Sequence, residues 1–216
     1  RTPHRAVMIW LFACSLMVAG LVVFGGYVRL SRAGLSIVEW QPVRGILPPL
    51  GEAGWQRAFT QYQDSPEYRL VNTGMSQAAF RRIFLIEWWH RLIARLAGLA
   101  ILLPGAWLMA TRRIPPGERG RYLLIGALFL GQALMGWLMV ASGLVAHPAV
   151  SHLRLTLHLL LALALLSLCL WTAFGHAYGL PSRAAKRPWS PVVISLLAML
   201  ALLMLQISYG GLTAGL

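Results

Sequence analysis

The fold is decided by long apolar stretches, and the most informative one, residues 83–109, reads IFLIEWWHRLIARLAGLAILLPGAWLM. A hydrocarbon core of about 30 Å needs roughly 20 mainly apolar residues in helical form, and this stretch supplies them. It also carries Glu87, His90 and Arg91 near its beginning. Ionisable groups at membrane depth are energetically expensive, so these three are functional-site candidates by default.

Four further stretches have the same character, at about residues 8–28, 122–142, 153–174 and 192–212. None shows the period-two alternation of a membrane barrel strand. The composition agrees, since 58% of the residues are hydrophobic, 12% are charged and the mean hydropathy is +0.65. We therefore predict an all-α polytopic membrane protein, with a four-helix transmembrane bundle, a fifth helix and a partly helical extracytoplasmic loop.

These spans divide the 216-residue chain into three predicted parts. Residues 1–175 form an N-terminal four-helix half whose extracytoplasmic loop is residues 29–82. Residues 176–190 form a cytoplasmic linker, and residues 191–216 begin a second half. Because the chain starts with Arg1 and stops at the end of its fifth apolar stretch, we expect this second half to be truncated.

The net charge of +13 raises the question of nucleic-acid binding, but its distribution argues against it. Segments 1–7, 110–121 and 176–190 are about twice as dense in Lys and Arg as segments 29–82 and 143–154. By the positive-inside rule the N-terminus is cytoplasmic. We expect a multi-pass protein of the bacterial inner membrane, with the mitochondrial inner membrane as the alternative, and with lipid rather than nucleic acid as its surroundings.

Loop 29–82 contains a predicted amphipathic helix at residues 52–63, because Trp55, Phe59 and Tyr62 recur at helical spacing. After it, Ser65-Pro66-Glu67 has the pattern of a helix N-cap, a first-turn proline and a first-turn acid. Such a loop can cover the mouth of a bundle. The alternative is an interfacial helix that lies on lipid without a role in the site.

Other metal and thiol sites fit the sequence poorly. Cys14 and Cys169 lie in separate apolar stretches, where two buried core thiols are expected. Glu87 and His90 form a Glu-x-x-His unit, but a di-iron bundle needs a second copy and two further glutamates, which the other apolar stretches lack. The zinc patterns His-x-Glu and His-Glu-x-x-His are absent from the sequence.

Two histidines are predicted at similar depth. If residues 83 and 153 enter the membrane from the same side, His90 lies about seven residues down, roughly 10 Å at 1.5 Å per residue, and His158 lies about five to seven residues down. Facing imidazoles can ligate one haem iron from both sides inside a helix bundle. The alternative for each histidine is a hydrogen bond to a neighbouring helix.

Three arginines accompany these histidines. Arg154 lies one turn before His158, where its guanidinium could pair with outward-pointing haem propionates. Arg91 lies deeper and could pair with Glu87 at i and i+4 in a purely structural role; a role in cofactor binding is the alternative. Arg95 lies nearer the midplane, where it needs an aqueous or ligand-lined pocket.

Beyond these candidates, the sequence contains a series of ordered motifs: GGYVRLSRAGLS at 25–36, EWQP at 39–42, Gly45 to Pro49, PEY at 66–68, NTGM at 72–75, EWWHR at 87–91, Gln132 with GWLMVASGL at 136–144, His158-Leu159 and GGLTAGL at 210–216. Together these motifs closely resemble the haem A synthase family. The resemblance is collinear from about residue 25 to residue 216 and favours the proteobacterial and mitochondrial-type branch, since the extracellular cysteine pair of another branch has no counterpart in loop 29–82.

The resemblance implies an oxidoreductase with eight transmembrane helices in two pseudo-symmetric halves. It would convert haem O to haem A for terminal oxidases by oxidising the C8 methyl group to a formyl group through successive hydroxylations, with oxygen thought to come from water. It implies that His90 and His158 are the haem-iron ligands of the substrate half, and that Glu87 is the essential acid. Arg91, Arg95 and Arg154 are expected to help to bind the haem.

The resemblance also implies partners: the farnesyltransferase that supplies haem O, the assembling terminal oxidase, and a possible second copy of the chain. Helices six to eight of the family and their histidine pair, which would hold haem b, have no counterpart here. We expect a portion of a longer protein; a naturally short homologue that acts as a dimer is the alternative.

Two other classes of function remain open. One is a non-catalytic haem-binding membrane protein, either a b-type electron carrier or a haem chaperone, which would need the histidines but not Glu87. The other is a transporter, which would require broken helices, and only Pro104 gives a hint of one.

Overall fold

The structure is a computed structural model that describes residues 2–40, 44–114, 116–144, 151–179 and 190–214. Within these ranges the chain forms seven α-helices and two short 3-10 turns, with no strand. The helices are α1 (Thr2–Leu30), α2 (Gly51–Gln63), α3 (Pro66–Leu70), α4 (Gln77–Ala110), α5 (Arg119–Gly143), α6 (His152–Tyr178) and α7 (Pro191–Ala214).

Five of these helices are long and apolar enough to cross a membrane: α1, α4, α5, α6 and α7. Each contains one of the predicted spans, so the prediction of an all-α polytopic membrane protein is confirmed. The helices are longer than predicted because polar residues continue them beyond the apolar stretch. In α4, for example, Ser76 accepts a hydrogen bond from the Ala79 amide and starts the helix six residues before Ile83.

Helices α1, α4, α5 and α6 form a four-helix ring. In it α1 packs against α4 and α6, and α5 packs against the same two helices, so that α4 and α6 face each other diagonally. The core between them is apolar and includes Leu11, Ile101 and Leu165. Cys14 and Cys169 are buried in this core as free thiols, as predicted. Helix α4 continues through Pro104 without a break.

Helix α7 packs on the outside of this ring, against α6. The contact is close because Gly211 has no side chain: a Cβ there would stand 2.6 Å from Thr156 Oγ1 and 3.2 Å from its Cα. Most other side chains of α7 are exposed. The predicted linker 176–190 falls largely outside the described residues, because residues 180–189 are not among them.

Helices α2 and α3 and the turns between them, residues 51–76, are named here the aromatic cap. Phe59 and Tyr62 of α2 are buried against Phe80, Phe84 and Trp88 of α4. Of the two alternatives for this loop, the packing supports a cover over one end of the bundle, since α2 turns its aromatic side chains to α4.

The local signals in the aromatic cap are confirmed. The predicted helix 52–63 is α2, which begins one residue earlier, at Gly51. Ser65 Oγ accepts from the Tyr68 amide at 3.2 Å, with Pro66 at the first helical position of α3.

Candidate functional site

Glu87 is buried, with 3% of its surface exposed, at the place where α4 meets the chain that follows α1. Its Oε2 accepts hydrogen bonds from Ser36 Oγ at 2.7 Å and from the Ile37 amide at 2.8 Å. Its Oε1 lies 2.5 Å from Nη2 of Arg91. Three donors therefore surround this carboxyl group, an arrangement that suits a carboxylate.

Arg91 completes the contact on the other side. The predicted i,i+4 pair with Glu87 is present, and the same Nη2 donates to the Ile37 carbonyl at 3.2 Å. The Trp40 ring lies 6.0 Å from the guanidinium carbon. Because both partners of this pair are largely buried, their attraction is poorly screened by solvent.

A Schellman turn at the end of α1 brings Ser36 and Ile37 to Glu87. The Ala33 amide bonds to the Val28 carbonyl at 3.0 Å and the Arg32 amide to the Arg29 carbonyl at 2.9 Å. Arg32 takes the left-handed position with a φ of 49°, where glycine is usual. This turn reverses the chain over α4.

Sequence reasoning missed Ser36 and Ile37 as site residues. Both lie about 50 positions from Glu87 in the chain. The only available signal was the family motif that ends at Ser36, because a single serine in a loop has no periodicity.

His90 lies one turn further along α4 and contacts α1. It hydrogen-bonds to the Leu21 backbone, and its ring centroid is 5.8 Å from that of Phe24. Its Nε2 is 3.3 Å from the position that a Cβ on Gly25 would take. This separation is tighter than most real contacts, so the glycine gives the imidazole its room.

His158 lies on α6 beside α5. Its Cε1 is 3.5 Å from the position of a Cβ on Gly136, and its backbone carbonyl accepts from Gln132 Nε2 at 3.0 Å. Two polar atoms at this contact, His158 Nδ1 and Gln132 Oε1, are buried without a hydrogen-bond partner among the described residues. Unpartnered polar groups at such depth are costly, and a water or a ligand would supply the missing partners.

His90 and His158 stand on the diagonally opposed helices α4 and α6, near enough for a charge on one to be felt by the other. A haem held between two histidines needs an imidazole on each side of the iron and room beside each ring. Glycines stand beside both imidazoles, and His158 Nδ1 has no hydrogen-bond partner among the described residues, so it is available to a ligand. The residues present therefore fit a haem.

The structure separates the three predicted arginines. Arg91 belongs to the Glu87 contact, and Arg95 is half-buried one turn further along α4. Arg154 lies on α6 one turn before His158, where Nη1 donates to the Leu138 carbonyl of α5 at 2.9 Å. That bond ties α6 to α5 with one of the five N–H donors of the guanidinium.

The aromatic cap has its own buried polar cluster. Tyr62 is fully buried and accepts from Asn72 Nδ2 at 2.7 Å, and burial raises the pKa of Tyr62 to about 12. Asn72 Nδ2 also lies 3.4 Å from Glu67 Oε1. Burial raises the pKa of Glu67 above its usual value, although the charge of Arg32 opposes that shift. Folding of the cap therefore favours the protonated form of Glu67 more than the unfolded chain does.

An exposed ion pair joins the aromatic cap to α4. Glu52 Oε1 of α2 lies 2.5 Å from Nη2 of Arg81, whose guanidinium stacks 5.2 Å from the Trp55 ring centre. The hydrogen bond from Arg81 lowers the pKa of Glu52. The exposed Glu52–Arg81 pair joins α2 to α4 at the surface, and the buried Phe59 and Tyr62 side chains join the two helices in the core.

Comparison with known proteins gives a consistent family. The family model for cytochrome oxidase assembly protein (COX15-CtaA) matches residues 8–216. The chain is 46% identical over 215 residues to the Heme A synthase of Wolbachia pipientis subsp. Culex pipiens, covering 98% of this chain and 63% of the relative. It is 44% identical to that of Paramagnetospirillum magneticum (99% and 61% covered) and 45% identical to that of Novosphingobium aromaticivorans (100% and 61% covered).

The chain thus spans about three fifths of the length of the curated relatives that it matches. No solved structure matches it.

Proposed function

Because this chain belongs to the COX15-CtaA family of cytochrome oxidase assembly proteins, we propose that it supplies the substrate-binding half of a haem A synthase. This membrane oxidoreductase would oxidise the C8 methyl group of haem O to the formyl group of haem A. The observation that carries the proposal is that His90 and His158 stand on α4 and α6, which face each other across the four-helix ring, with Glu87 one turn from His90. The names of the curated relatives support it.

In this proposal residues 1–175 form the substrate half, residues 176–190 link it to a second half, and α7 begins that second half. Removal of two electrons for each hydroxylation requires an acceptor, and a haem b in the second half would take that role. The haem O farnesyltransferase would deliver the substrate and the assembling oxidase would receive the product. The protein would lie in the bacterial inner membrane with its N-terminus in the cytoplasm, as a monomer or a homo-oligomer.

His90 and His158 would hold haem O through its iron and so fix the position of its edge. The glycine at position 25 leaves His90 its space, and Gln132 fixes the α6 backbone at His158. Arg154 stands one turn from His158 and, within the described part of the chain, uses one of its five N–H donors for the bond to Leu138, which leaves donors that suit a propionate group. Arg91 and Arg95 would add positive charge on the α4 side.

Glu87 would act on the methyl group as an oriented carboxylate. Ser36, Ile37 and Arg91 fix its two oxygens before the substrate arrives. A fixed negative charge in a site with little water stabilises positive charge that develops on the methyl carbon during its oxidation. A carboxylate oxygen of Glu87 can also take the proton of the water that attacks this carbon.

A non-catalytic haem protein, either a b-type carrier or a haem chaperone, is the second candidate. The observation in its favour is that every oxygen of Glu87 already has a protein partner. A carboxylate whose task is purely structural would look the same.

The two candidates are separated by extracting haem from membranes that contain the complete gene product and a haem O supply. We expect wild type and Glu52→Gln, a matched change at an exposed carboxylate, to yield haem A. We expect Glu87→Gln to retain haem but to accumulate haem O. If Glu87→Gln produced haem A at the wild-type level, the role of this acid would be excluded; if wild type bound haem O without converting it, the carrier or chaperone would stand.

A further inference from the structure

Ser36 holds a position that the family resemblance does not explain. Its side chain is 1% exposed and lies between the last turn of α1 and the Glu87 side chain. Its hydroxyl oxygen is within hydrogen-bond distance of Glu87 Oε2 at 2.7 Å and of the Ala33 carbonyl at 2.8 Å, with the Ile83 carbonyl further away at 3.3 Å. A serine hydroxyl carries one proton, so it fully satisfies only one of these acceptors at a time.

We propose that Ser36 is a positioning residue for Glu87 and that its hydroxyl changes partner with the protonation of that carboxyl group. When Glu87 is ionised, Ser36 donates to Oε2. When Oε2 carries a proton, Glu87 donates to Ser36 Oγ, and Ser36 donates to the Ala33 carbonyl instead. In both states Ser36 Oγ and Glu87 Oε2 stay hydrogen-bonded to each other through rotation of one hydroxyl, without movement of the backbone, and the ion pair with Arg91 is formed only in the ionised state.

Of the three groups that donate hydrogen bonds to Glu87, only the Ser36 hydroxyl can also accept one. The Ile37 amide and the Arg91 guanidinium donate but cannot accept, so neither can receive a proton from Oε2. Among the described residues, Tyr62 of α2 senses the charge of Glu87, and His90 lies one turn further along the same helix. A protonated Glu87 without Ser36 would point its O–H at donors, which is costly in a buried site.

The catalytic consequence rests on the proposed function. There one methyl C–H bond breaks, its two electrons passing to the haem-class acceptor and its proton to bulk water. The O–H bond of the attacking water also breaks, its proton going to Glu87 Oε2 and its oxygen bonding to the substrate carbon. Ser36 keeps its own proton throughout. Ser36 therefore lowers the barrier by stabilising the protonated form of Glu87 through a hydrogen bond. It acts through Glu87 and does not contact the substrate.

The test is infrared difference spectroscopy of the purified complete gene product with isotope-labelled glutamate, in which the Glu87 band is the one that Glu87→Gln removes. We expect Ser36→Ala to shift the carboxylate band of Glu87, and Ser36→Thr, which keeps a hydroxyl, to restore it. Ser31→Ala, in the same connection but without a side-chain hydrogen bond to Glu87, should leave the band unchanged. In the haem assay Ser36→Ala should slow conversion about 10- to 100-fold, as expected for one lost bond to a charged group, with rescue by threonine.

An unshifted Glu87 band in Ser36→Ala would overturn the proposal, as would a shift that threonine does not restore. If Ser36→Ala does not accumulate in the membrane, Ser36→Cys keeps the shape with a weaker donor and is measured in the same way. A wild-type protein that makes no haem A would contradict the proposed function. The infrared band does not depend on turnover, so it would still test the role of Ser36.

Discussion

Glu87 and Arg91, one turn apart on α4, hold the two backbone groups of a single residue, Ile37. The Ile37 amide donates to Glu87 at 2.8 Å, and its carbonyl accepts from Arg91 at 3.2 Å. The ion pair between the two side chains closes this arrangement. The connection after α1 is thereby fixed to α4 just above His90, so that the site and the chain that covers it form one unit.

Arg91→Ala should destabilise the protein strongly. The substitution leaves Glu87, which is 3% exposed, without its positive partner, and breaking a buried pair in this way costs about 3–5 kcal/mol. Arg69→Ala is the matched control, because its pair with Asp64 is exposed and such pairs contribute about 0–1 kcal/mol. Thermal unfolding in detergent measures both. Equal midpoints for the two variants would contradict the structural role of the Glu87–Arg91 pair.

Gly25→Ala should disturb the haem site, whereas Gly26→Ala should not. A Cβ at position 25 would stand 3.3 Å from His90 Nε2, so the imidazole has to shift by a few tenths of an ångström. At position 26 nothing lies within 4 Å. We expect Gly25→Ala to alter the low-spin haem absorption and lower haem retention several-fold. The prediction fails if the spectra of the two neighbouring variants are the same.

Gln132→Leu should weaken haem binding through His158. The amide holds the His158 carbonyl at 3.0 Å and keeps a buried, unpartnered oxygen beside an imidazole whose Nδ1 lacks a partner within the described part of the chain. Loss of a residue that orients a metal-binding histidine typically lowers metal affinity 10- to 100-fold. Haem titration of the purified protein measures this loss. Gln206→Leu, on the exposed surface of α7, is the control, and an equal effect there would refute a local role.

The stability of the aromatic cap should fall as pH rises through the raised pKa of Glu67. Burial favours the protonated form in the folded state, so the folded cap binds this proton more tightly than the unfolded chain does, and the stabilisation that this gives below the ordinary glutamate pKa is lost as the pH rises. Glu67→Gln should remove that dependence and leave α2 and α3 at least as stable at neutral pH. Hydrogen exchange of the amides of α2 and α3 between pH 5 and 8 measures it.

Glu52 should give the stability of the same cap a pH dependence of the opposite sign, which Glu52→Gln should remove. The pKa of Glu52 is lowered by Arg81, so any stabilisation is present above the ordinary glutamate pKa and is lost as the pH falls. The effect should be small, since the carboxylate is exposed to solvent. Lower protection factors of the α2 and α3 amides at low pH than at high pH in wild type, with the intrinsic pH dependence of exchange divided out, would contradict the assignment to Glu67.

Much of the site could be predicted where the signal was local. The Glu87–Arg91 pair follows from a spacing of four residues on one helix, and the Ser65 cap follows from a three-residue pattern. The length of α4 was underestimated, because hydropathy marks the part of a helix that lipid surrounds. Its first residues, Gln77 to Arg82, are helical but include Gln77, Arg81 and Arg82, and the aromatic cap covers that end of the helix.

The sequence by itself determined the class and the elements of this protein, five apolar helices and a helical loop, because burial in lipid and helical hydrogen bonding act along the chain within a few residues. Only the tertiary structure decided that Ser36 and Ile37 complete the Glu87 site, that Gly25 makes room for His90 and that Gln132 holds the His158 backbone. Those contacts join different helices and loops. They depend on how the helices pack and on where a Schellman turn sends the chain, and no local pattern of residue types encodes either.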